Sequence, residues 1–581
     1  MKSSTQFKQD HSSASSPYFS DDVRDFSQVE KSIPCQEACP AKTNVPGYIR
    51  DIYEEKYGRA YEINRACNIL PGVLGRICSR PCEEACRHGN DNNGDSVAIC
   101  YLKRSCADLK SPMHRIIEGL YTPTGKKVAV IGSGPAGLAV AHELAVMGHK
   151  VTIYESEEKP GGMLMYGIPE FRLPRNLLLS EIENILRLGI DLHTSTMIGK
   201  DINLEDLHDI YDAIVAAIGC MKPRTLEVAG EGLENVYNGL DFMKMVNAGQ
   251  TPYVGEKTVV IGAGFTAVDC ARSAVRLGAS QVDIHMRKTV ELMRIDAHEK
   301  VEAQYEHIGL HGLMQPNRII GENGRVTGIE FLRTRLEQTD RSPYRVSVPI
   351  ENSEFVIPAD TIIAALGQTP DKEVIFNRAQ QSLTMEGYFS AGDFVSGSSD
   401  VIHAIADGKR CAQEVDHYLT GMVRKKKMVR IEPCSTTDRD RSFDFISRTA
   451  MDTIGLSERK AQLTAEVESG FNTEQAYEES KRCYLCNLRY EIDPQRCIYC
   501  SACIDVMPKD CIKMVKGIVF EDSGAYQSYE TSQYWNQATA ISIDNSKCIR
   551  CGKCLEVCPM DCISVHKTEL VEVDLASESF E

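Results

Sequence analysis

Residues 126–155 read KKVAVIGSGPAGLAVAHELAVMGHKVTIYE. An apolar run ends at Gly132, and Gly134 and Gly137 follow. An alanine-rich stretch comes next, and a second apolar run closes on Glu155. Strand, glycine turn, helix, strand and acid form an order with a physical meaning. Gly132 permits the tight turn, and Gly134 lets the backbone approach a pyrophosphate. Gly137 lets helix and strand pack closely, and Glu155 accepts from a ribose hydroxyl. Three glycines at that spacing carry little weight alone. With their strands, helix and acid they predict a dinucleotide-binding unit.

A second unit follows in residues 257–288, KTVVIGAGFTAVDCARSAVRLGASQVDIHMRK, with Gly262, Gly264 and Ala267 in the turn. Its second strand runs into Arg287 and Lys288 instead of an acid. An acid suits a free 2′-hydroxyl, whereas two bases suit a 2′-phosphate, so the unit favours NADP over NAD. Two such units in one chain, the second inserted in the first, predict a two-nucleotide α/β core. The first body covers 121–255 and 365–420, and the second covers 256–364.

Around this core the chain of 581 residues has room for three to five domains. A net charge of −17 argues against nucleic-acid binding, which needs cations to displace phosphate counterions. No run of eighteen apolar residues offers a bilayer span, and the polar start has no secretory pattern. The 23 cysteines are therefore expected in a reducing, cytoplasmic setting, where they mean metal or redox chemistry. Residues 1–30 are read as a flexible extension and 421–480 as a connector. The connector opens on a basic run, Arg424 to Lys427, expected to be a solvated face.

The cysteines cluster at both ends. CIRCGKCLEVCP (548–559) places Cys548, Cys551, Cys554 and Cys558 in the C-x2-C-x2-C-x3-C-P run of bacterial ferredoxins. In two-cluster ferredoxins the fourth cysteine of each run ligates the other cluster. The partner run, CIYCSACIDVMP (497–508), has Cys497, Cys500 and Cys503, and then Met507 where a cysteine belongs. Cys558 then completes the cluster of Cys497, Cys500 and Cys503. The cluster of Cys548, Cys551 and Cys554 is left short. Cys511, a three-iron cluster, or a ligand other than cysteine all stay open. Residues 481–581 are read as an α+β ferredoxin-like domain.

Three further stretches, GGMLMYGIPEFRLP (161–174), AALGQTPD (364–371) and SAGDFVSGSSDVIHAIADGKR (390–410), resemble the small subunit of glutamate synthase. They equally resemble the matching half of dihydropyrimidine dehydrogenase. The resemblance implies FAD in the first unit, against Gly162, Gly392 and Asp393, and NAD(P)H in the second. The family usually places Asp or Asn where this chain has Phe265. Cys220, Cys270 and Cys411 are isolated and read as small buried hydrophobes, which sets disulfide-reductase chemistry aside.

The resemblance also implies a helical iron–sulfur domain over 31–120. The related domain begins C-x2-C-x4-C-x3-C-P, and this chain enters that pattern at its third cysteine, Cys35, followed by Cys39 and Pro40. Cys78, Cys82 and Cys86 come later. Where the family has an acid or amide ligand this chain has Lys103, and Cys100, one turn earlier, is the natural replacement. One cluster is then Cys39, Cys78, Cys82 and Cys100. Cys35 and Cys86 need two more ligands, and EESKRCYLCN (478–487) supplies Cys483 and Cys486 at the far end of the chain.

The expectation is about four [4Fe-4S] clusters, one of them [3Fe-4S] or unusually ligated, beside FAD and NAD(P)(H). The expected role is an NAD(P)H-linked electron-transfer subunit in a hetero-oligomer. Its partner would be a catalytic subunit or a soluble ferredoxin. A glutamate synthase small subunit is the second enzymatic reading, and a non-enzymatic redox sensor or scaffold is a third of another class.

Overall fold

The computed structural model describes residues 32–90, 94–116, 118–339, 342–371, 386–434, 439–520 and 526–574. The extension expected over 1–30 lies outside the described residues.

The strand Lys127–Ile131 lies at the centre of a five-stranded parallel sheet, ordered Tyr388–Ser390, Ala213–Ala216, Lys127–Ile131, Lys150–Tyr154, Asp191–His193. Its side chains alternate between two cores. Val128 and Val130 pack with helices Pro135–Val146 and Val401–Thr420, and Ala129 and Ile131 pack with Leu207 and Phe394. A parallel strand covered on both faces is apolar throughout, which is why its sequence shows a run and no alternation.

A second parallel sheet is ordered Val236–Asn238, Thr361–Ala364, Lys257–Ile261, Gln281–His285, Gly309–His311. Its first strand, Val236–Asn238, falls within 121–255. The strand is three residues long, too short to show a period. The two-stranded pairing of Lys222–Pro223 with Gln368–Thr369 marks the crossover between the bodies.

Short helices build the region before the core, as expected of 31–120. Helix Pro71–Ile77 runs so close to helix Ile99–Asp108 that a Cβ on Gly75 would lie 2.6 Å from Arg104 Cα. That approach brings Cys78 and Cys100 together. The first body holds the same helix by its N-terminus. Buried Glu181 accepts from the Gly72 and Val73 N–H groups, both at 2.9 Å, and from the Tyr61 hydroxyl at 3.2 Å.

The C-terminal region is α+β, with two three-stranded sheets. One is ordered Lys425–Pro433, Ile563–Asp574, Leu488–Ile492 and the other Tyr526–Thr531, Ile512–Phe520, Ala540–Ile543. The first corrects the reading of the basic run. Arg424 is buried against Asp416 and donates to Met147 O at 2.9 Å, and Lys425 reaches Glu143 at 3.2 Å. Asp416, Met147 and Glu143 of the first body draw these two bases inward, and Lys427 stays exposed. Further on, helix Thr473–Lys481 docks on helix Val45–Tyr53, with the Tyr53 and Tyr477 rings stacked at 5.2 Å. Among the described residues no helix is long and apolar enough to cross a membrane.

Candidate functional site

A cavity of about 430 Å³ opens between the two parallel-sheet bodies. Gly132, Gly134, Glu155, Gly162 and Asp393 line it from the first body, and Phe265 and Thr266 from the second. The glycines are sterically required. Gly132 has φ +102°, and a Cβ there would lie 2.6 Å from Ala217 O. On Gly137 it would lie 2.0 Å from Gly132 O, and on Gly162 it would lie 2.9 Å from Gly134 Cα. A Cβ on Gly134 would instead meet nothing within 4 Å, because this position faces open space at the start of helix Pro135–Val146. A pyrophosphate needs both the missing side chain and the helix N-terminus.

Glu155 is buried and held rigidly. One of its oxygens accepts from Ser133 N (2.9 Å) and Ser133 Oγ (2.5 Å), and the other accepts from Glu157 N (2.9 Å). Gly392 N donates to Asp407 Oδ2 at 2.6 Å. Burial lifts the Asp393 carboxyl above its ordinary pKa, against the pull of Ser399, whose hydroxyl donates to it. This cradle fits FAD.

The second glycine turn repeats the first. A Cβ on Gly262 would lie 2.4 Å from Ala365 O, one on Gly264 would meet nothing within 4 Å, and Ala267 is fully buried. Phe265 lies under the Arg172 guanidinium, 5.7 Å from the ring centroid, and Arg172 also pairs with Asp269 at 2.8 Å. Arg287 is exposed and Lys288 half-buried beyond the end of Gln281–His285. Neither is among the described residues lining the cavity between the bodies.

The iron–sulfur region touches the same cavity. Ile77 and Ser79, on either side of Cys78, line it, and Ser79 donates to Asp400 at 2.5 Å. Behind them Cys39, Cys78, Cys82 and Cys100 are all buried, and all four act on the ammonium of Lys103. Burial works to lower the Lys103 pKa, and the four sulfurs outweigh it and raise it. Cys35, Cys86, Cys483 and Cys486 line a second, small cavity, although the chain separates the two pairs by almost four hundred residues.

In the C-terminal module Cys497, Cys500, Cys503 and Cys558 line a third cavity together with Cys562, whose sulfur is 3.4 Å from that of Cys558. Cys500 is exposed. Cys511 lies beside Cys548 and near Cys551 and Cys554. Met507 does something else: its sulfur accepts from Ile512 N at 3.0 Å. The corner expected to stand open at Met507 is faced by Cys511, which the adjoining strand Ile512–Phe520 turns inward.

A family model described as pyridine nucleotide-disulphide oxidoreductase matches residues 126–422. The chain belongs to this family. Residues 28–115 match the model described as dihydropyrimidine dehydrogenase domain II, 4Fe-4S cluster, and residues 541–564 match a 4Fe-4S binding domain. The β subunit of an NADP(+)-dependent formate dehydrogenase from Moorella thermoacetica is 34% identical over 499 residues, covering 78% of this chain and 70% of the relative. The β subunit of an NADPH-Fe(3+) oxidoreductase from Geobacter sulfurreducens is 34% identical over 505 residues, covering 78% and 75%. The glutamate synthase [NADPH] small chain of Azospirillum brasilense is 31% identical over 417 residues, covering 66% and 86%.

This oxidoreductase therefore joins an FAD- and NAD(P)-binding core to 4Fe-4S domains, and the resemblance read from its motifs holds. Disulfide chemistry is no part of that reading. Among the described residues lining the large cavity the one cysteine is Cys220, and it donates to Asp393 O at 3.2 Å. Sequence reasoning passed over Asp407 and Arg172. Each lies inside a quoted motif, but nothing local distinguishes it from a surface charge.

Proposed function

We propose that this oxidoreductase is an NADPH-linked electron-transfer subunit, wired from its flavin through four cysteine-ligated clusters to a partner with its own catalytic site. FAD supplies the change from two-electron hydride chemistry to the single electrons that iron–sulfur clusters require. Cys39, Cys78, Cys82 and Cys100 would hold the cluster nearest the flavin, and Cys35, Cys86, Cys483 and Cys486 the next. Cys511, Cys548, Cys551 and Cys554 would hold a third, and Cys497, Cys500, Cys503 and Cys558 the last. The observation that carries the reading is the position of Cys78. Its chain neighbours line the cavity that also holds Gly134 and Glu155. At the other end the exposed Cys500 offers an exit. Relatives named as β subunits and small chains support a partner subunit. Anaerobic stopped-flow mixing with NADPH tests the relay: flavin should bleach first and the clusters afterwards. Clusters that stay oxidised beside a bleached flavin would refute it.

Two expected outcomes belong here. Arg287 and Lys288 stand where an acid would exclude a 2′-phosphate. Relatives named for NADP or NADPH point the same way. Arg287→Ala with Lys288→Ala should raise the KM for NADPH by about tenfold or more, since charge-assisted contacts exceed the ~1.4 kcal/mol that tenfold represents. The KM for NADH should stay near its original value. Equal losses with both nucleotides would show that these bases do not read the phosphate. For the third set, Cys511→Ser should convert a four-iron cluster into a three-iron one, giving the EPR signal of an oxidised three-iron centre. Met507→Cys should leave iron content and spectrum unchanged. The reverse pattern would make position 507 the ligand site.

A further inference from the structure

Three buried arginines lie where the Cys35/Cys86/Cys483/Cys486 set meets the Cys511/Cys548/Cys551/Cys554 set. Each reaches across the junction. Arg87, next in the chain to Cys86, donates to Cys548 O at 3.1 Å and Asn545 O at 3.5 Å, and its Nη1 lies 3.9 Å from the Cys486 sulfur. Arg550, between Cys548 and Cys551, donates in the opposite direction, to Cys486 O at 3.1 Å and Leu488 O at 3.0 Å. It also donates to Cys548 O. Arg439, from the segment that leads out of the core, donates to Cys483 O at 3.1 Å and Ile549 O at 2.9 Å, and it pairs with Asp444. Between them lies the buried ring of Tyr484, with Arg87 5.5 Å and Arg439 4.8 Å from its centroid.

The contacts are reciprocal. An arginine from each cysteine loop grips a carbonyl of the other loop, and the third grips both. Moreover, the carbonyls of Cys483, Cys486 and Cys548 are among those gripped. Burying a guanidinium costs several kcal/mol in lost hydration. Three at one junction are a heavy expense if their purpose is packing, which apolar side chains would serve as well.

We propose that Arg87, Arg439 and Arg550, offset by the single carboxylate of Asp444, form a bridge of net positive charge that raises the reduction potentials of the two clusters it separates. The proposal rests on the ligand assignment above. Reduction of either cluster adds one electron and no proton, so it adds one negative charge. A nearby buried positive charge favours that state, because the attraction is poorly screened. Hydrogen bonds and net charge near the sulfurs are established means of tuning such potentials. A cationic bridge also offsets the repulsion between two anionic clusters, so both can be reduced at once. Arginine suits the role better than lysine, since its planar fork serves several carbonyls while its charge stays fixed.

An EPR-monitored redox titration of the full-length, cluster-loaded protein tests this, comparing Arg87→Gln, Arg439→Gln, Arg550→Gln and Arg550→Lys with the unmodified chain. Each glutamine variant should move the one-electron equilibrium of at least one of the two clusters about tenfold toward the oxidised form. That equals about 59 mV for a one-electron couple. Arg550→Lys should recover most of the shift. Midpoints within threefold of the original in the glutamine variants that keep their iron would overturn the bridge. So would a shift of equal size in Arg550→Lys, which would make geometry responsible and not charge. Where a glutamine variant sheds iron, the remaining glutamine variants decide on the same criterion, and its lysine counterpart should keep midpoints near the original. Failure of the ligand assignment has a different signature. Cys483→Ser and Cys511→Ser would then leave both titrating signals in place.

Discussion

Cys483→Ser combined with Cys486→Ser should strip about four iron atoms from the purified protein, one cubane's worth. NADPH should still bleach the flavin. Both thiols share a small cavity with Cys35 and Cys86, and the proposed relay sets the cluster they would hold between the flavin side and the ferredoxin module. Dithionite should still reduce the clusters beyond the gap, whereas NADPH should no longer reach them. Metal binding is coupled to folding, so amide exchange across helix Thr473–Lys481 should also speed up. Truncation before residue 481 should remove about three clusters' worth of iron. A truncated chain that keeps two N-terminal clusters would end the idea that the two chain ends share one.

Gly137→Ala should be nearly as damaging for the opposite reason, excess volume. Its new methyl would lie 2.0 Å from Gly132 O, where only a shift of helix Pro135–Val146 relieves the clash. Overpacking of this kind costs about 1–3 kcal/mol, and here backbone must move. The helix N-terminus would then leave the pyrophosphate position, and the chain should purify largely without flavin. Gly134→Ala is the control, because its methyl enters open space. That variant should melt at nearly the same temperature in flavin-free form, yet bind FAD more weakly. Flavin absorbance per chain and thermal melting report both. Full flavin occupancy in Gly137→Ala would contradict the cradle.

Both nucleotide units were legible in the sequence because their demands are local. Gly132 turns the chain at positive φ and Gly137 answers to Gly132 O five residues earlier, so their spacing carries the meaning. The ferredoxin runs are readable for the same reason. The family resemblance extended this reach: the related domain's leading C-x2-C pair is missing beside Cys35 and Cys86, and Cys483 and Cys486 offer the same spacing at the far end. Contacts set by tertiary placement stayed hidden. Cys511 faces Cys548 because a strand happens to begin beside it. Val236–Asn238 is a strand because a neighbouring sheet edge receives it. Arg424 looked like one base in a solvated run and is buried beside Asp416. The bridging arginines have no pattern of their own; each gains its meaning from a carbonyl supplied by another segment.

The cavity shared by Cys35, Cys86, Cys483 and Cys486 imposes a schedule on biosynthesis. Almost four hundred residues separate Cys86 from Cys483. At ribosomal speeds of 5–20 residues per second, that gap takes roughly 20 to 80 s to translate. During this interval, on the proposed assignment, Cys35 and Cys86 wait as bare thiols, within reach of oxidants and of stray metal ions. On the proposed ligand assignment, iron delivery to that site is a late event, after the nucleotide-binding core has left the ribosome. Cells starved of iron should accumulate a flavin-loaded chain with a loose C-terminal arm, and pulse-labelling should find that arm acquiring protease resistance last.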